Sequence, residues 1–134
     1  YTHTHLLSLD QPERTLFNNI GASSRRAIKE PIKHGLALRT DAGVSDVPRL
    51  LSLMEAAFDR TGATFQKDEA RRDLEMAIAL PSRRPLVTLE ATEVEGPTRI
   101  VAFALGVHNG DHVTYCHGAA ERGGELARLT LGFA

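Results

Sequence analysis

Tyr115, Cys116 and His117 stand in succession within the run His112-Val113-Thr114-Tyr115-Cys116-His117-Gly118-Ala119. A phenol, a thiol and an imidazole can each donate or accept a proton, and the imidazole does so nearest neutral pH. Residues two apart in an extended strand share a face, so Tyr115 and His117 are expected side by side. Either one could hydrogen-bond a substrate or act as a base. Packing in the domain core is the commoner fate of such residues, and the sequence assigns no catalytic residue. Cys116 is the single cysteine. It has no partner for an internal disulfide, which suits a reducing compartment, and it is expected as a buried structural thiol.

A second chemistry lies upstream. Arg25, Lys29 and Lys33 recur every four residues with Arg26 alongside, and Glu30 is the one acid among them. That spacing gathers the cations on one helix face, which is either solvated or able to bind a polyanion such as an RNA backbone or a pyrophosphate. Arg122, in the loop Glu121-Arg122-Gly123-Gly124, is either a solvated cation or a phosphate contact. His3 and His5 would share a strand face, but no third ligand accompanies them, so no metal site is expected. Over the whole chain 16 basic and 17 acidic side chains leave a net charge of −1. No global field therefore recruits nucleic acid or an anionic membrane, and any polyanion site must be local.

These residues need elements to position them. With 134 residues, 42% of them hydrophobic, the chain has room for one packed domain. No apolar run approaches the roughly 20 residues that span a bilayer. The chain is expected to be soluble and cytoplasmic, with the inner membrane surface as a second location. Tyr1 to Leu9 alternates enough to suggest a strand. Asp10, Pro12 and Glu13 signal the start of a long helix, with Asp10 as its N-cap and an apolar stripe through Leu16, Ile20, Ile28 and Ile32. Pro31 is expected to kink or end that helix, with Gly35 at its C-terminal cap and His34 as a cation near the carbonyl end.

Leu36–Thr40 then reads as a short strand. Ser45 or Asp46 is placed to cap a helix whose Val47, Leu50, Leu51, Met54, Ala57 and Phe58 form a wide apolar stripe. A further helix over 66–80 turns Ala70, Leu74, Ala77 and Ile78 inward. Three extended runs follow, over 85–93, 99–108 and 112–119. The last two meet at Asn109-Gly110-Asp111, and Asn-Gly is a strong hairpin signal because both residues tolerate positive φ. A Gly-rich loop and a helix start at Leu126 close the chain, which reads as an interior piece of a longer polypeptide.

The order strand, helix, helix, three antiparallel strands and helix start resembles the first two thirds of a GNAT-type acyltransferase domain. The segment Arg26-Ala27-Ile28-Lys29-Glu30-Pro31-Ile32-Lys33-His34-Gly35-Leu36 resembles the R-x-x-I-[R/K]-x-A-x-K-x-G-[V/L] segment of FemAB-like (FemABX) transferases, where it joins two GNAT-like domains. Gly110-Asp111-His112-Val113-Thr114-Tyr115-Cys116-His117-Gly118-Ala119-Ala120 is similar to that family's G-D-x-x-x-Y-x-x-G-A-[S/A] strand, and Val101–Leu105 to the strand before it. Pro31 stands where the family more usually has Ala.

The resemblance implies an α/β (α+β) fold of GNAT-like type, a mixed and mostly antiparallel sheet with flanking helices, truncated here. Residues 1–9 would end a preceding GNAT-like domain, 10–34 would form the linking helix, and 35–134 an incomplete second domain, inactive alone. It also implies transfer of an aminoacyl or acyl group to an amine, with peptidoglycan or another cell-envelope precursor as acceptor. The donor would be aminoacyl-tRNA, with acetyl-CoA as the alternative and no tightly bound cofactor. A non-catalytic GNAT-like binding module is a further alternative. CoA-dependent GNAT enzymes usually carry a [Q/R]-x-x-G-x-[G/A] loop after the corresponding strand, and Arg122-Gly123-Gly124-Glu125 departs from that spacing. A donor other than CoA is therefore favoured. Candidate substrate-binding residues are Arg26, Lys29, Lys33, Tyr115, His117 and Arg122, the last of them toward a phosphate or a precursor carboxylate.

Overall fold

The computed structural model describes residues 6–92 and 98–121. Four strands, β1 (Ala37–Arg39), β2 (Leu86–Thr92), β3 (Thr98–Asn109) and β4 (His112–Ala120), form one sheet in the order β1-β2-β3-β4, every neighbour antiparallel. Helices α3 (Val47–Thr61) and α4 (Lys67–Ala79) stand between β1 and β2 in the chain. This is the expected α+β architecture with its meander.

The apolar stripes decide where the core sits. Leu50 and Leu51 of α3 and Leu74 and Ala77 of α4 bury against Leu86, Phe103 and Leu105 on one face of the sheet. Leu53 is buried too, which widens the α3 stripe beyond the expected positions. A smaller cluster of Leu36, Leu89, Ala91, Val101, Ala102 and Ala120 forms separately. Asp46 precedes α3 as expected, but it works backwards: its Oδ2 accepts the Gly43 N–H at 2.8 Å and caps the short 3-10 turn Val44–Asp46. Gly62 ends α3 at φ +72°, where a residue with a Cβ would be strained.

The segment over 10–34 is not one helix. It divides into α1 (Glu13–Asn18) and α2 (Ala22–Lys33), with Pro12 rather than Asp10 at the first cap and Gly21 at the second. Asn18, Asn19 and Gly21 are weak helix formers, and Arg25 Nη1 donates to the Asn18 carbonyl at 2.9 Å, giving the broken end a partner. Pro31 does not stop α2. It lies in the last turn, where its ring removes only one late hydrogen bond. Leu36 N then donates to Pro31 O and Gly35 N to Ile32 O, with Gly35 at φ +84°, a Schellman closure that satisfies the terminal carbonyls. His34 Nδ1 donates to Glu30 O at 2.9 Å, at the carbonyl end of the helix.

Two expectations about the ends meet different outcomes. Leu6–Leu9 form no strand; apolar side chains at both Leu6 and Leu7 spoil the period of two, and they remain largely exposed beside the sheet. His3, His5 and the loop and helix start after Glu121 lie outside the described residues. Among the described residues no helix is long and apolar enough to cross a membrane.

Both long strand pairs carry a bulge. Leu89 pairs with Ala102 and Glu90 with Ile100, so Val101 is the extra residue on β3. Leu105 pairs with His117 and Gly106 with Tyr115, so Cys116 is the extra residue on β4. The hairpin after β3 turns on Gly110 and Asp111, and only Gly110 takes a positive φ, +61°. The expected hairpin is therefore present, with a turn one residue shorter than Asn109-Gly110-Asp111, since Asn109 remains in the ladder opposite His112.

Candidate active site

The bulge at Cys116 decides what β4 presents. An inserted residue shifts the alternation of a strand, so Tyr115 and His117 fall on opposite faces rather than side by side. Cys116 is exposed rather than buried, and it is the residue that the bulge leaves out of the pairing. His117 lies opposite Leu105, on the face covered by α3 and α4.

There its Nε2 meets Asp73 Oδ2 of α4 at 3.0 Å, both side chains about one third exposed. A carboxylate only accepts, so in the neutral ring Nε2 carries the proton and Nδ1 keeps a lone pair. Asp73 lies three residues after buried Ala70 and four before buried Ala77, at the border of the apolar stripe of α4. Arg84 Nη1 stands 4.0 Å from the other Asp73 oxygen. The arrangement is an imidazole oriented by a carboxylate, accessible to solvent, and able to receive a proton at Nδ1.

The far end of β4 is clamped. Glu121 accepts from Arg99 Nη2 at 3.0 Å and Arg99 Nε at 3.2 Å, and from Arg49 Nη2 of α3 at 2.7 Å, while Arg49 Nε donates to Ile100 O at 2.8 Å. These bonds tie α3 to the end of β4. The hydrogen bond from Arg99, and after it the charges of Arg99 and Arg49, hold the Glu121 carboxyl below its ordinary 4.5. A carboxylate depressed in the folded state stabilises the fold above the unfolded-state pKa, and that contribution disappears as pH falls through the lower folded value. Urea unfolding should therefore find Glu121→Gln less stable than the parent at pH 7, with the gap closing toward pH 3. A gap independent of pH would contradict the clamp.

A match of residues 18–133 to the family model described as an acetyltransferase (GNAT) domain accords with this sheet and its two covering helices. The chain belongs to the GNAT acetyltransferase family. Membership makes the domain an N-acyltransferase in general terms. No curated protein matches the chain.

Within this GNAT domain the sequence-derived candidates do not form one cluster. Arg26, Lys29 and Lys33 are exposed along α2, with the Lys29 ammonium 5.2 Å from the centre of the Phe17 ring. Among the described residues no hydrogen bond or ion pair joins them to Tyr115 or His117. Arg122 lies outside the described residues. Tyr115 occupies the other sheet face and borders a groove of about 960 Å³ together with Leu6, Leu9, Val87, Ala104 and Val113. Burial raises its phenol above the ordinary 10, so the group stays protonated. Its side chain runs over Gly118, where an added Cβ would strike the hydroxyl and approach the Phe103 carbonyl at 3.1 Å. Gly118→Ala should therefore displace Tyr115, seen as a changed phenol environment in near-ultraviolet spectra. An unchanged spectrum would show that the ring does not depend on this glycine.

Asp73, Arg84 and the Arg49–Arg99–Glu121 clamp were not among the sequence candidates. Asp73 carried one signal, a charge bordering an otherwise apolar helix stripe.

Proposed function

We propose that the domain is an N-acyltransferase of FemAB-like type that transfers an aminoacyl or acyl group to an amine on a cell-envelope precursor such as that of peptidoglycan. The donor in this reading is aminoacyl-tRNA. The observation that carries the amine chemistry is the His117–Asp73 pair on the bulged strand. An amine nitrogen attacks the donor's ester carbonyl and a C–N bond forms. His117 Nδ1 takes the proton the nitrogen loses, the C–O bond breaks, and that proton passes to the departing hydroxyl oxygen. Asp73 keeps the ring in the competent tautomer and balances its transient charge. The exposed stripe of Arg26, Lys29 and Lys33 favours a polyanionic donor, because clustered cations supply sequence-independent phosphate contacts. Acting on a precursor held at the cytoplasmic face of a membrane requires only surface association of this domain.

The second reading, CoA-dependent N-acetyl transfer, is favoured by the description of the matching family. Titration of the full-length protein with tRNA and with acetyl-CoA at two salt concentrations, beside the triple variant Arg26→Gln/Lys29→Gln/Lys33→Gln, separates the two. Salt-sensitive tRNA binding that the variant loses supports aminoacyl transfer. Acetyl-CoA binding without any tRNA response overturns it in favour of the acetyltransferase.

A further inference from the structure

A pocket of about 500 Å³ opens between the C-terminal end of α4 and the β3–β4 hairpin, and three cationic or ionisable donors, Arg83, Arg84 and His108, line it with Met76, Leu80 and Val107. Among the described residues no carboxylate lines it. Arg83 is exposed and makes no side-chain hydrogen bond or ion pair among the described residues. The backbone around it is fixed, since Arg83 N and Arg84 N donate to Leu80 O, and His108 N donates to Arg83 O at 2.6 Å. His108 Nδ1 reaches Ser82 O at 3.2 Å, which sets the ring.

This pocket and the His117–Asp73 pair belong to one surface. Asp73, Met76 and Leu80 recur at i, i+3 and i+7 along α4, one stripe of the helix. On β3, Leu105 stands opposite His117, and Val107, two residues further, lines the pocket on the same sheet face. Two strand residues span about 7 Å. Arg84 connects the two places, lining the pocket while lying 4.0 Å from the Asp73 carboxylate.

We propose that this pocket binds the carboxylate of the acyl acceptor, so that the acceptor is a short peptide or amino-acid derivative with a free carboxylate about one dipeptide length from its reacting amine. The inference rests on the acyltransferase reading and names its acceptor class. The guanidinium groups of Arg83 and Arg84 supply paired donors to a carboxylate, a geometry that Arg matches well. Met76, Leu80 and Val107 take the apolar part of the same molecule, which suits an organic carboxylate better than a bare phosphate. A peptide held this way has its amine two residues away, at the level of His117, the spacing that an extended dipeptide provides.

The test measures binding without donor, by calorimetry on the full chain, with three probes: alanyl-alanine, its C-terminal amide, and inorganic phosphate. Alanyl-alanine should bind about tenfold more tightly than the amide, and Arg83→Gln should remove most of that preference. Arg83 is exposed and unpaired among the described residues, so its replacement leaves the fold intact; Arg84→Gln should act in the same direction. Equal binding of dipeptide and amide, or a preference that survives both substitutions, overturns the carboxylate site. Phosphate that displaces the dipeptide and binds more tightly than it does overturns it as well, reassigning the pocket to a phosphorylated ligand. Because no transfer is measured, a carboxylate preference in a protein that transfers nothing would leave the pocket standing and sink the acyltransferase reading alone.

Discussion

Replacing His117 with glutamine should lower the rate of acyl transfer by roughly 10²- to 10⁴-fold, the usual contribution of a positioned general base. The loss should appear in kcat, with acceptor KM changed little, because the imidazole takes its proton only as the amine attacks. Glutamine can still hydrogen-bond Asp73, so the local packing survives while the titrating nitrogen is gone. Asp73→Asn should act more mildly and differently. A side-chain amide can donate as well as accept, so it no longer forces the proton onto Nε2. Its signature is an altered dependence of kcat on pH, which a purely structural role would not produce. A His117→Gln enzyme with parental kcat would remove His117 from the chemistry and leave the pair as an ordinary link between α4 and β4.

The largest expected effect on stability belongs to Phe103→Ala, at about 3–5 kcal/mol. Phe103 is fully buried in the middle of β3, in the cluster that also holds Leu50 and Leu74. Its ring fills the space between the sheet and the two covering helices, and the close-packed neighbours can collapse only partly into the void. Against a typical domain stability of about 5–15 kcal/mol, the loss leaves little margin. Equilibrium urea unfolding reads it directly, with Leu38→Ala as the comparison, since Leu38 is about half exposed and should cost well under ~1 kcal/mol. A Phe103→Ala protein within about 1 kcal/mol of the parent would mean that the core is loosely packed here.

Local periodicity made most of the fold legible. The α3 stripe through Val47, Leu50, Leu51 and Met54, the α4 positions Ala70, Leu74 and Ala77, and the three long strands all lie where spacing and turn residues place them. Features that depend on pairing between distant segments were not legible. Nothing near Cys116 announces a bulge, because the extra residue exists only relative to the register of β3. His117 was singled out by its chemistry, but its partner Asp73 lies 44 residues away on a helix whose docking no local pattern describes. Pro31 shows how loosely a helix-breaking signal fixes a boundary: it lies inside α2, which ends two residues later at Lys33.

The bulge at Cys116 also sets the reading frame of β4. With a side-chain period of two, every residue has an address, helix side or groove side, and Cys116 is the one letter that is written but not read. Losing that codon would leave Tyr115 opposite Gly106 and His117 opposite Leu105, each at its present address. Losing the codon for Thr114, two places earlier, is a different event. The hairpin holds His112 and Val113 to their partners, so Tyr115 would move up to face Val107 and Cys116 would be drawn into the ladder opposite Gly106. Composition and pairing strength would hardly notice. Yet Tyr115 and Cys116 would be read as letters are read after a frameshift, and the phenol would be delivered to the wall where the imidazole stands.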